Sequence, residues 1–167
     1  MSPVICCAIV ALIAVADQLI KRAVLASSLV QGENITVISG FLELEYVENT
    51  GAAFSLFEGR TQILSVFSAL VLVVGIYLLF ARKIKSKVML ASVVMIMGGG
   101  LGNLIDRIIY HFVVDYIKVL FIDFPVFNFA DCFITVGEFI LIGYLLWDIF
   151  TDFKNSKAKK DKVKNDE

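Results

Sequence analysis

Two aspartates, Asp115 and Asp131, are the ionisable residues whose surroundings account for them least. Val113-Val114-Asp115-Tyr116 has the character of a short extended stretch, in which a carboxylate between bulky neighbours gains little. Asn128-Phe129-Ala130-Asp131 leads into an apolar run, where Asp131 has an ordinary alternative use as a helix N-cap. Capping and chemistry are compatible at that position. Two carboxyls held close together cannot both ionise cheaply, so one keeps its proton near neutral pH while the other is charged. Such a pair supplies an acid and a base together, which suits attack by water on a carbonyl without a metal or an organic cofactor.

Other ionisable residues cluster near them in the sequence pattern. Asp17 and Lys21 are four apart and share a helix face, and Asn103, Asp106 and Arg107 fall at i, i+3 and i+4. Ion pairs at helix ends, Asp17 with Lys21 and Asp106 with Arg107, explain these groups as well as contact with a substrate does. Other routes to hydrolysis are poorly supplied. The one histidine, His111, has no second His or Cys beside it, and no Gly-x-Ser-x-Gly elbow occurs. Lys21 and Lys118 lack an evident serine partner. Cys6, Cys7 and Cys132 have no metal-ligand spacing and sit in or beside apolar runs, where a thiol acts as a small hydrophobe. The run Gly98-Gly99-Gly100 with Gly102 is followed by no Lys-Ser or Lys-Thr, so close helix packing explains it better than phosphate binding.

The elements that must position these residues are membrane spans. Of the 167 residues, 59% are hydrophobic and only 19% charged, with a mean hydropathy of +0.85, which is too apolar for a water-soluble domain of this size. Four runs approach or reach the roughly 17 to 25 residues a spanning helix needs: about 3–25, 62–81, 88–105 and 131–148. Arg82, Lys83, Lys85 and Lys87 separate the second and third, and Lys154, Lys157, Lys159, Lys160, Lys162 and Lys164 follow the fourth. Ten of the fifteen cations therefore fall in two places, both expected to be cytoplasmic together with the N-terminus. Residues of about 23–61 and 107–130 then lie on the outer face.

Pro3 to Ala16 also has the length of a signal-peptide core, with a cleavage-like Ala14-Val15-Ala16, but no Lys or Arg precedes it, so a retained helix is expected. Residues 154–167 are polar and lysine-rich and are read as a disordered basic tail after a single membrane-embedded domain, 1–153. Leu42-Glu43-Leu44-Glu45-Tyr46-Val47 alternates with the period of a strand. The expected fold is all-α integral membrane: four transmembrane helices with a small outward-facing β-rich segment between helices 1 and 2. The aromatics Tyr110, Phe112, Tyr116, Phe121, Phe124, Phe127 and Phe129 fit an interfacial belt. No internal repeat supports an inverted-repeat transporter, and no basic surface suggests nucleic acid.

Five blocks together resemble bacterial lipoprotein signal peptidase, also called signal peptidase II. They are Asp17-Gln18-Leu19-Ile20-Lys21, Asn49-Thr50-Gly51-Ala52-Ala53-Phe54, Gly102-Asn103-Leu104-Ile105-Asp106-Arg107, Val113-Val114-Asp115-Tyr116 and Phe127-Asn128-Phe129-Ala130-Asp131. Each alone is weak, and their order and topology make the signal specific. The resemblance implies a monomeric aspartyl endopeptidase of the bacterial cytoplasmic membrane, in contact with membrane lipids and working without a cofactor. It would cleave prolipoproteins just before a diacylglyceryl-modified cysteine. It implies Asp115 and Asp131 as the catalytic pair, with Asn49, Gly51, Asn103, Arg107, Asn128 and Ala130 around the substrate and Asp17 and Lys21 in support; Asp106 carries over only as a structural partner. The small Gly51, Ala52 and Ala53 would let an extended peptide approach.

Tyr116 stands where the family pattern commonly has Phe, and Glu138 where an uncharged residue is expected. Glu138 follows Asp131 by two helical turns and shares its face, roughly 10 Å deeper. Buried inside the bundle it would be neutral and hydrogen-bonded, or act as a third carboxyl disturbing the pair's titration. Two non-enzymatic readings compete: a proton-coupled transporter with a relay through Asp17, Lys21, Asp131 and Glu138, and a scaffold subunit whose polar blocks only join helices.

Overall fold

The computed structural model describes residues 2–51 and 59–165, with side chains to residue 155. The helices are α1 (Pro3–Leu25), α2 (Thr61–Phe80), α3 (Lys87–Ile109) and α4 (Phe129–Asn165). All four are long and apolar enough to cross a membrane, since 20 residues at 1.5 Å each cover about 30 Å. Pro3 starts α1 at a position where its missing N–H costs nothing, and the Ser86 hydroxyl accepts the Met89 N–H at 3.4 Å to cap α3. On α4 the helix begins two residues earlier than expected and its backbone continues through Asn165, past the expected end near 148 and into the stretch read as a tail. Lys and Ala, which make up much of that stretch, are good helix formers.

α3 is the hub. It packs against α1, α2 and α4, whereas α2 and α4 share no packed interface. Its glycines explain how it serves three neighbours. A side chain at Gly98 would meet Ile13 of α1, one at Gly102 would meet Asp17, and one at Gly99 would run into the Ala130 carbonyl of α4. Met97, between these, needs the space left by Gly75 of α2. Close packing through small residues is how spans associate when lipid removes the hydrophobic drive. On α1 the buried stripe is Cys6, Val10, Ile13, Asp17, Lys21 and Val24, at helical spacing. The polar pair Asp17 and Lys21 thus faces protein and not lipid.

The β-rich segment is larger in reach than the sequence suggested. Strands β1 (Ile35–Ile38) and β2 (Leu42–Asn49) lie between α1 and α2, and β3 (Val113–Val119), from the connection between α3 and α4, completes an antiparallel sheet in the order β1-β2-β3. Asp115 pairs with Val47 and Val113 with Asn49. Val114 and Tyr116 pack on one side with Val24 and Leu29, so the period of two sends Asp115 to the other. Beyond β3 the chain turns back, and Ile117 and Phe127 exchange backbone hydrogen bonds at 2.7 and 3.0 Å. That bridge delivers the start of α4 to the side of β3.

Candidate active site

The polar residues meet where the end of α1, the end of α3, the sheet and the start of α4 converge. Lys21 is the hub of one half. Its ammonium lies 2.8 Å from Asp17 Oδ2 and 2.8 Å from Asp106 Oδ2, with all three side chains at 1% exposure or less, and it donates to Asn103 Oδ1 at 2.8 Å. Asp106 also accepts from Gln18 Nε2 at 2.7 Å and from the Val114 N–H at 3.1 Å. Asp17 Oδ1 accepts the Ala130 N–H at 3.1 Å. Asp106 therefore pairs with Lys21 and not with its neighbour Arg107, as the sequence had suggested. Adjacent residues on a helix point about 100° apart, and only Asp106 turns toward α1.

The other half holds the two aspartates. Asp115 Oδ2 accepts from Asn49 Nδ2 at 2.8 Å and its Oδ1 from Asn128 Nδ2 at 2.6 Å. Asp131 Oδ1 accepts from Asn103 Nδ2 at 2.7 Å. Its Oδ2 accepts the Asn128 N–H at 3.2 Å, while Asn128 Oδ1 accepts the Asp131 N–H at 2.9 Å. This reciprocal pattern is a capping box. Asn128 is the cap and Asp131 the third helical residue, so the reading of Asp131 as the cap is corrected by one turn. Asn128 also donates to Asn103 Oδ1 at 3.2 Å. With Lys21 and Asn128 both donating to that oxygen, the Asn103 amide has only its nitrogen to offer Asp131, which fixes its orientation.

One residue, Asn128, thus holds both carboxyl groups, that of Asp115 through its side-chain amide and that of Asp131 through its backbone N–H. Among the described residues no cation lies at ion-pair distance from either. Asp115 is 1% exposed, and burial, followed by the charge of Asp131, pushes its carboxyl up to about 7. A carboxyl that still holds a proton near neutral pH beside a second carboxyl is able to act as an acid while its partner acts as a base. The surrounding groups suit an extended chain. Arg107 donates from Nη2 to the Gly51 carbonyl at 3.2 Å, and its buried Nε has no partner among the described residues. Asn49 Oδ1 accepts the Gly51 N–H at 2.9 Å.

The residues expected from sequence to form or support the site are all in this network: Asp17, Lys21, Asn49, Gly51, Asn103, Arg107, Asp115, Asn128, Ala130 and Asp131. Ala52, Ala53 and Phe54 lie outside the described residues. Sequence reasoning gave Gln18 and Tyr116 no function. The Tyr116 hydroxyl accepts the Phe129 N–H at 3.3 Å, satisfying a free donor at the start of α4 that Phe would leave open. For Gln18, a polar residue next to Asp17 in an apolar run was the available signal. The expectation that Glu138 is buried is corrected: it is exposed and has no hydrogen bond among the described residues.

Comparison with known proteins gives one result in three forms. The model of the family described as signal peptidase (SPase) II matches residues 9–147. A lipoprotein signal peptidase of Lactiplantibacillus plantarum is 42% identical over 80% of this chain and 89% of its own, and one of Lactobacillus johnsonii is 35% identical over 81% and 88%. A solved bacterial membrane enzyme superposes with a TM-score of 0.78 at 29% identity, covering 86% of this chain and 88% of that one.

Proposed function

The chain belongs to the signal peptidase II family, and from that premise we propose that it is an aspartic endopeptidase whose catalytic pair is Asp115 and Asp131. Its substrates are prolipoproteins carrying a diacylglyceryl group on the cysteine that follows the cleaved bond. The observation that carries the aspartic reading is Asn128, whose side chain and backbone together hold a carboxyl oxygen of each aspartate.

In the reaction the charged member of the pair takes a proton from water as the water attacks the scissile carbonyl, and the protonated member donates to the carbonyl oxygen. The roles then reverse to protonate the leaving nitrogen. The pair titrates as a unit. The Asn49 and Asn103 amides hold the carboxyls in place, and Arg107 Nε, which has no partner among the described residues, is available to a substrate carbonyl. The peptide segment before the cleaved bond lies along the open face of α3 between α2 and α4, while the lipid chains stay in the bilayer. The site faces outward with both termini cytoplasmic, a reading that the two basic clusters support, and the enzyme works as a monomer. A transport relay loses its link, because Glu138 has no polar connection to the Asp131 cluster among the described residues.

The test uses detergent-purified protein and a diacylglyceryl-modified precursor, with chelator present and no ATP or partner. Cleavage directly before the lipidated cysteine is expected. Asp115→Asn and Asp131→Asn should each lower the rate by a hundredfold to about ten-thousandfold while melting as cooperatively as the parent. Residual full activity in either variant overturns the aspartic reading.

A further inference from the structure

Glu138 is the carboxyl in the outer half of α4 that the site does not use, and its placement is specific. On α4 the face against α3 runs through Ala130, Ile134 and Gly137: side chains added at Gly99 and Gly137 would collide across it. Asp131 and Glu138 lie to one side of that face. Asp131 reaches Asn103 of α3, and successive residues of a helix turn by about 100°, so this flank lies opposite that of Phe129. The opposite flank carries Phe129, which packs against the cluster that Val24 of α1 forms with Leu29, Val114 and Tyr116. Among the described residues nothing covers α3 here. A side chain at Gly100, between the α2-facing Met97 and the α4-facing Gly99, would meet nothing within 4 Å.

A cleft therefore runs inward from the aspartate pair, floored by α3 at Gly100 and walled on one side by Thr135 and Glu138, both exposed. Further in, the same flank is apolar, with Ile142 and Leu145 exposed. Glu138 is the polar group that precedes this apolar stretch of the wall. An ionisable side chain at this depth without a partner is costly, and such groups are retained where they meet a polar partner or a wet cavity. Within the described chain there is no such partner.

We propose that Glu138 is a specificity-determining residue, whose carboxyl hydrogen-bonds a polar side chain on the membrane-embedded segment of the substrate as that segment lies in the cleft. This rests on the peptidase reading above. The distance sets the position. Two turns of α4 put Glu138 about 10 Å below Asp131, which corresponds to roughly three residues of extended peptide or seven of helix before the cleaved bond. A signal segment with Ser, Thr or Asn in that interval satisfies the carboxyl, and an all-leucine segment leaves it unpaired in a dry cleft.

The experiment compares diacylglyceryl-modified precursors that carry leucine throughout the interval, or a single serine at each position in turn. Each is cleaved by the parent, by Glu138→Gln and by Glu138→Leu. One serine register is expected to raise kcat/KM about tenfold over the all-leucine precursor for the parent. Gln keeps this preference because it still hydrogen-bonds, and Leu abolishes it while cleaving the all-leucine precursor at least as well as the parent. The ratio within each enzyme cancels any general effect of serine on how the precursor sits in detergent. The proposal is overturned if the parent prefers no register, or if Glu138→Leu keeps the parent's preference. Failure of every enzyme to cleave any precursor would instead remove the peptidase reading beneath it.

Discussion

The molecule holds two pairs of aspartates within one hydrogen-bonded network, all buried but the half-buried Asp131, and they are kept in opposite ways. Asp17 and Asp106 share the ammonium of Lys21. Asp115 and Asp131 share only amides, from Asn49, Asn103 and Asn128. A cation placed between carboxylates fixes their charge and makes them structural, whereas neutral donors orient carboxyls without fixing which one holds the proton. The first pair is suited to joining α1 to α3, and the second to exchanging protons with a substrate. The contrast can be attacked from either side.

The largest effect is expected at Lys21. Lys21→Met leaves two carboxylates buried without their counter-ion, which costs about 3–5 kcal/mol. A fall in melting temperature at neutral pH, larger than that of Asp115→Asn, would bear out the division. Equal stability of the two variants would break it. Asn128→Ala comes next, because it removes the cap of α4 and a donor to Asp115 together. About 1–2 kcal/mol of stability and at least a hundredfold in cleavage rate are expected to go, so the loss of rate outweighs the loss of stability, opposite to the balance at Lys21.

Protonation separates the pairs further. The Asp115 carboxyl, at about 7 when folded and about 3.9 when unfolded, makes the native state bind the extra proton between those values. Its contribution to stability therefore falls as pH rises from about 4 to about 7. In a melting series, the parent should lose ground to Asp115→Asn across that window. Cleavage should decline above pH 7 as the acid loses its proton, and a rate that keeps rising there would put the acid elsewhere. The smallest effect belongs to Tyr116→Phe, which frees one N–H at the start of α4. A loss of about 1 kcal/mol or less, with cleavage almost unchanged, is the expected result from melting and rate measurements.

Much of this contrast was legible in the sequence, for reasons that differ by residue. The four spans follow from length and hydropathy, and Asp17 and Lys21 fall on one face through helical period alone. Asp115 and Asp131 emerged because the chain carries little else able to hydrolyse an amide. What the sequence did not reveal depends on contacts between distant segments. Whether Val113–Val119 is a strand rests on pairing with β2, far away in the chain. The choice of Lys21 over Arg107 as partner to Asp106 depends on which face of α3 meets α1. The period of α4 did put Glu138 on the face of Asp131, as expected. Whether that face is covered depends on how far α2 stands from α4, which no periodicity within α4 records.

The capping box at the start of α4 also sets an order of events during synthesis. Asp17, Lys21, Asn103 and Asp106 belong to α1 and α3, and can close their ion cluster as soon as the third helix is in the bilayer. Asn128 and Asp131 belong to the last helix to leave the ribosome. Until that helix forms and docks beside β3, Asp115 has neither its second carboxyl nor the Asn128 amide, and only Asn49 to hold it. A nascent chain thus has its first helices joined before it is able to cut anything, and the final helix to arrive is the one that arms it.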